Sequence, residues 1–199
     1  MRLSTREFNA MNNPARCFIQ RHVEFPIFQH MGLDETGLDI LEIGCGSGYG
    51  ATLLYRLEPK SYVGVDLMHE QIALADGRRL PEAEFMVRDA TNLSCFPDQS
   101  KDVIVIFGIL HHIPEWRKVV QGCARLLREG GKLFVEEPDG VFVQAFDRIF
   151  HWGHPDLYPF RLRDLEAYLP SLGFTILGRL RTMGFGWYAA QIGSRMAQN

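Results

Sequence analysis

The run Leu41-Glu42-Ile43-Gly44-Cys45-Gly46-Ser47-Gly48, answered by Val63-Gly64-Val65-Asp66, holds the residue types best suited to gripping a small molecule. Glycines belong where backbone must turn sharply or come close to a ligand. An acidic residue about 20 positions further on is where a bound ribose would find a partner for its hydroxyls. Together they predict a nucleoside-containing cofactor. A second set of candidates follows an apolar run: His111 and His112, side chains that titrate near neutral pH and suit proton transfer. Glu136, Glu137 and Asp139 follow a third apolar run, where a carboxylate could orient or deprotonate an acceptor, or simply cap a turn. His151 and His154 share a loop with Trp152, Pro155 and Tyr158, but without the regular spacing of metal ligands, and no metal is expected.

The elements that must position these residues read as alternating strands and helices. Asp39–Ile43 is a short apolar strand, Tyr49–Leu57 the helix behind the glycines, and Ser61–Asp66 a second strand. A helix over Glu70–Gly77, a strand over Ala83–Val87 and a strand over Asp102–Phe107 follow, the last apolar enough to be buried on both faces. Trp116–Leu127 reads as a helix that Gly130-Gly131 stops before the strand Lys132–Glu136. Leu162–Leu169 reads as a helix, with strands near Phe174–Leu180 and Trp187–Ile192. Strands alternating with helices imply a parallel sheet covered on both faces. At the start, Pro14 to about Met31 reads as helix, with Phe18, Ile19, Val23 and Ile27 on one face and a kink or break at Pro26.

The glycine spacing bears on which cofactor fits. Counted from Gly44, Tyr49 stands where a dinucleotide fingerprint wants its last glycine; counted from Gly46, Ala51 is a tolerated variant. The run reads more naturally as Glu-x-Gly-x-Gly-x-Gly. With Asp66, Arg88-Asp89-Ala90, Phe107-Gly108-Ile109-Leu110-His111-His112, Glu129-Gly130-Gly131-Lys132-Leu133 and Gly173-Phe174 in order behind it, the chain resembles the class I S-adenosylmethionine-dependent methyltransferases, in particular their small-molecule, type 11 branch. The resemblance covers about residues 39–173. It implies an α/β, Rossmann-like doubly wound and mostly parallel seven-stranded sheet, helices on both faces, and an antiparallel C-terminal strand.

The resemblance also implies roles. Gly44, Gly46 and Gly48 would admit the methionine end of S-adenosylmethionine, with Glu42 ordering the loop or meeting the ammonium group. Asp66 would take both ribose hydroxyls, Met68 would pack on adenine, Asp89 would accept from the adenine amino group beside Ala90, and Phe107 would begin the segment that passes the cofactor. His111 or His112 is the candidate base. The family places substrate-covering segments between the fifth and sixth strands, so Phe146, Phe150, Trp152 and Tyr158 are candidates to line an apolar or aromatic acceptor pocket, with Phe8, Met11 and Phe18 as further cover. Residues 1–199 are expected to form one methyltransferase domain: a helical cap over 1–38, a cofactor-binding core over 39–137, a substrate lid over 138–172 and C-terminal strands over 173–199.

Composition narrows the partners. The chain has 199 residues, 46% of them hydrophobic, and a formal net charge of −3. That size buries a sizeable core without staples, and the charge offers nucleic acid no global attraction. Cys17, Cys45, Cys95 and Cys123 are scattered, as free thiols are in a reducing compartment. No apolar run is long enough to cross a bilayer and Met1–Glu7 lacks the apolar core of a secretion signal, so a cytoplasmic location and a small-molecule acceptor are expected. Oligomeric state leaves no mark in the sequence. Three other functions fit less of the pattern: a nicotinamide oxidoreductase, a nucleic-acid methyltransferase, and a cofactor-binding scaffold without catalysis. The second lacks both the Pro-Pro-Tyr segment and the Pro-Cys nucleophile after the fourth strand.

Overall fold

A computed structural model describes residues 12–150 and 160–194, with the side chains of 146, 147, 149 and 150 left aside. The chain opens on α1 (Pro14–Ile19), a π-helical turn (Gln20–Glu24) and α2 (Phe25–His30). Asn13 caps α1, its side chain accepting from Arg16 N–H at 2.8 Å, and Pro14 occupies the first turn, where no donor is missed. The interruption expected at Pro26 is this π-turn just before it, and the helix runs on through the proline. The turn also re-aims the helix. Phe18, Ile19 and Val23, expected on one face, are exposed, whereas Gln20, Glu24, Phe25 and Phe28 are buried. One extra residue in a turn shifts the register of everything after it, which a 3.6-residue reading cannot anticipate.

Seven strands follow: β1 (Asp39–Ile43), β2 (Ser61–Asp66), β3 (Ala83–Val87), β4 (Lys101–Phe107), β5 (Leu127–Pro138), β6 (Phe174–Thr182) and β7 (Phe185–Ile192). Their order in the sheet is β3-β2-β1-β4-β5-β7-β6, with β7 antiparallel to both neighbours and β1 to β5 parallel. The strands are joined by α3 (Tyr49–Leu54), α4 (His69–Asp76), α5 (Trp116–Leu126), α6 (Gly140–Phe150) and α7 (Leu162–Ser171). This is the Rossmann-like doubly wound sheet the pattern predicts. Every residue of β1 is buried, as a central strand covered on both faces requires.

Two apolar layers sandwich the sheet. α5 contributes Trp116, Val119, Val120, Cys123 and Ala124 to one, a helical stripe of steps of three and four. Phe25 and Phe28 of α2 contribute to the other, against Phe107, Phe134 and Trp187. β5 starts at Leu127, before the glycine pair expected to precede it. Leu127 already has extended backbone, and Gly130-Gly131 sit beside the register shift between Lys101 and Val103. Arg128 explains the early start: it bonds Asp39 at 2.8 Å and Asp102 at 2.5 Å, tying β5 to β1 and β4.

Candidate active site

Reversal of the winding direction between β1 and β4 leaves a crevice at their carboxyl ends, the place where open α/β sheets bind ligands. A cavity of about 470 Å³ lies there. Its walls come from the loop after β1 (Gly44, Gly46), the end of β2 (Asp66, Leu67, Met68), the loop after β3 (Arg88, Asp89, Ala90, Thr91) and the segment after β4 (Phe107 to Ile109, His112 to Glu115).

The loop after β1 is held open. Gly44 has φ +77°, and a Cβ there would run into Ile109. Gly46 has φ +51° with nothing within 4 Å of its missing side chain, so its bare backbone faces free space. Its N–H donates to Asp66 Oδ2 at 3.0 Å, and Met68 N–H donates to Asp66 Oδ1 at 2.9 Å. Asp66 therefore ties the glycine loop to the second strand and still has lone pairs for a ligand. Burial pushes its carboxyl above the usual carboxylate range, partly offset by those backbone donors. Asp89 Oδ1 takes both the N–H and the hydroxyl of Thr91 at 2.8 Å, an Asx turn that leaves Oδ2 available.

Beneath the loop, Glu42 is 1% exposed and accepts from the Tyr62 hydroxyl. Burial pushes its carboxyl up to about 8. Gly50 leaves it room, since a Cβ there would collide with Glu42 Oε1. From the far side Arg78 donates to the Ser47 carbonyl and, at 3.3 Å, to its hydroxyl.

The segment after β4 is anchored by Glu137. Its Oε1 accepts from Ile109 N–H at 2.7 Å and Leu110 N–H at 2.6 Å, and its Oε2 from His111 Nδ1 at 2.8 Å. His111 is thereby sealed in the core, 6% exposed, while His112, whose ring centroid lies 3.9 Å from that of His111, reaches the cavity. The structure thus brings Gly44, Gly46, Asp66, Met68, Asp89, Ala90, Phe107 and His112 to one cavity. Glu42, Gly48 and His111 stand outside its lining. Trp152 and Tyr158, with Phe8 and Met11, lie outside the described residues, as do the side chains of Phe146 and Phe150. Arg78 and Tyr62 escaped sequence reasoning, because each acts on a residue 20 or more positions away with no local motif to mark it, and Glu137, expected as a carboxylate that orients an acceptor or caps a turn, holds the segment after β4 instead.

Comparison with known proteins agrees with this geometry. The sequence profile of the type 11 methyltransferase domain matches residues 41–135, the stretch that carries every wall of the cavity. This chain contains a class I methyltransferase domain. S-adenosylmethionine is the cofactor that goes with it. A probable S-adenosylmethionine-dependent methyltransferase of Mycobacterium tuberculosis is 34% identical over 143 residues, 71% of this chain and 48% of that protein. A phthiotriol/phenolphthiotriol dimycocerosates methyltransferase of the same species is 42% identical over 101 residues, 50% of this chain and 37% of that protein. The chain spans about half the length of the first of these relatives, or less. An S-adenosylmethionine-dependent methyltransferase from Mesorhizobium loti superposes with a TM-score of 0.74 at 16% identity, over 84% of this chain and 97% of that one. That likeness speaks for the methyltransferase fold. The cavity's chemistry fits such a cofactor: it offers bare backbone at Gly46 and carboxylates with free lone pairs at Asp66 and Asp89. Among the described residues no helix of the methyltransferase domain is long and apolar enough to cross a membrane, and no cluster of His, Cys, Asp or Glu could hold a metal.

Proposed function

We propose that the chain transfers a methyl group from S-adenosylmethionine to a small, apolar or aromatic acceptor. The observation that carries this reading is the convergence of Gly46, Asp66, Asp89 and His112 on one cavity at the switch point of the sheet. Bound there, the cofactor supplies an electrophilic methyl group on a sulfonium. The rest falls to the chain. Gly44 and Gly46 admit the methionine end, with Glu42 ordering the loop from below and Gly48 starting the helix behind it. Asp66 accepts from the ribose hydroxyls, Met68 and Ala90 flank the adenine, and Asp89 Oδ2 accepts from its amino group. Phe107 closes the floor.

Much of such a transfer is orientation and exclusion of water. Glu137 supplies the first by pinning residues 109–111. His112 is the better placed of the two histidines to take a proton from the acceptor, since the ring of His111 is committed to Glu137. We place the acceptor under residues 138–172, with Phe146, Phe150, Trp152 and Tyr158 as lining. An apolar acceptor is also favoured by the relative whose name states a dimycocerosate substrate. The test is a calorimetric titration with S-adenosylmethionine and its demethylated product, then transfer of a labelled methyl group into organic-extractable small molecules. Binding of NAD in place of both would overturn the reading.

A further inference from the structure

β5 ends in two adjacent carboxylates, and the one on the α2 face is not accounted for by the cofactor site. Glu136 is 2% exposed, paired in register with Phe107 on one side and Trp187 on the other. Its Oε2 lies only 3.3 Å from where a Cβ on Gly108 would stand, and Gly108 is part of the cavity wall. Glu136 therefore lies directly behind the cavity wall at Gly108. Glu24 from the π-turn, near enough to act electrostatically on Glu136, bonds Arg16 at 2.6 Å through Oε1. Its Oε2 is sealed from solvent with no hydrogen-bond partner. Trp187 Nε1 is sealed and without a partner in the same way. Trp187 stacks on Phe185, and Phe185 packs against Phe142 at 5.4 Å.

A buried acceptor and a buried donor left unsatisfied are costly, and folding alone gives no reason to keep them. We propose that Glu136, Glu24 and Trp187 form the polar end of the acceptor subsite, and that they select an apolar acceptor carrying a hydroxyl group. The inference rests on the methyltransferase reading above. A hydroxyl can donate to a carboxylate oxygen and accept from the indole N–H at once. An anion would meet two acids, and an ammonium group has nothing to offer Trp187 Nε1–H, while Arg16 already neutralises Glu24. Phe107, Trp187 and Phe185 supply an aromatic wall. Burial and the neighbouring acids push the Glu136 carboxyl up, with Arg16 opposing, which suits a group that shares a proton with a neutral ligand.

The test uses the full chain saturated with demethylated cofactor product. Calorimetry then compares 2-naphthol with 2-methylnaphthalene, 2-naphthoate and 2-naphthylmethylamine. We expect 2-naphthol to bind at least about tenfold more tightly than each of the others, the scale of one or two hydrogen bonds. In Glu136→Leu that preference should fall to less than about threefold, while affinity for the cofactor product stays within about twofold. Should this variant not fold, Glu24→Gln is judged by the same criterion. Equal binding of 2-naphthol and 2-methylnaphthalene, tighter binding of the acid or the amine, no binding of 2-naphthol at all, or a preference that survives both substitutions would each overturn the subsite. Failure of the parent chain to bind the cofactor product would instead overturn the reading on which it rests.

Discussion

Glu136 and Glu137 are neighbours on one strand and have opposite fates. Side chains alternate across a sheet, so one faces α2 and the other faces α5. Glu137 is fully buried and meets backbone donors at residues 109 to 111 together with the His111 ring. Glu136 is almost as buried, yet shares its face with Glu24 and Trp187, each holding an unpartnered polar atom. A satisfied buried carboxylate is structural: it holds the loop that walls the cavity. An unsatisfied polar cluster beside that cavity is a capacity held for a ligand. The difference separates the half of the site that is built from the half that waits for its occupant.

The comparison breaks first at Glu137. Glu137→Leu strands three backbone N–H groups in the core, and we expect a loss of about 3–5 kcal/mol in a thermal melt, with cofactor binding weakened. A stable, fully binding variant would show that those bonds do not hold the loop.

Glu42 is the intermediate case, with the Tyr62 hydroxyl as its hydrogen-bond partner. Its carboxyl is raised from 4.5 to about 8 in the fold, so between those values the folded state holds a proton that the unfolded chain has released. Stability from this group is therefore complete below pH 4.5 and lost as pH rises through about 8. Glu42→Gln should flatten that decline, by on the order of a few kcal/mol at its upper end. A decline of unchanged slope would place its cause elsewhere.

The smallest effect is expected at Glu136. Glu136→Gln keeps shape and a neutral head group, and its melt should lie within about 1 kcal/mol of the parent. A loss as large as that of Glu137→Leu would make both carboxylates structural and erase the distinction.

Much of this was legible in the sequence, and the limits were physical. β1, β2 and β3 lie where apolar patterning placed them, the first two because central parallel strands read as short apolar runs between turn signals. That Asp66 belongs to the same site as the glycine loop was legible too, though its hydrogen bond to Gly46 N–H was not. Three features were not. The π-turn at Gln20–Glu24 shifts the register of the residues after it, so Phe25 and Phe28 are buried while Phe18 and Ile19, before it, stay exposed. The β6–β7 turn is made by Met183 at φ +49° and Gly184 at φ +81°, and methionine rarely serves a hairpin in that conformation. The division of labour between Glu136 and Glu137 depends on strands β4 and β7 on either side, which no local spacing encodes.

The central claim is that the cavity at the β1–β4 switch point holds S-adenosylmethionine through Asp66. Calorimetric titration of the purified chain with the demethylated cofactor product, beside Asp66→Ala, tests it most directly. We expect one site in the parent and a loss of about 1–3 kcal/mol of binding free energy in the variant, the scale for hydrogen bonds to a charged group. Equal dissociation constants for the two chains, or no binding by the parent, would contradict it.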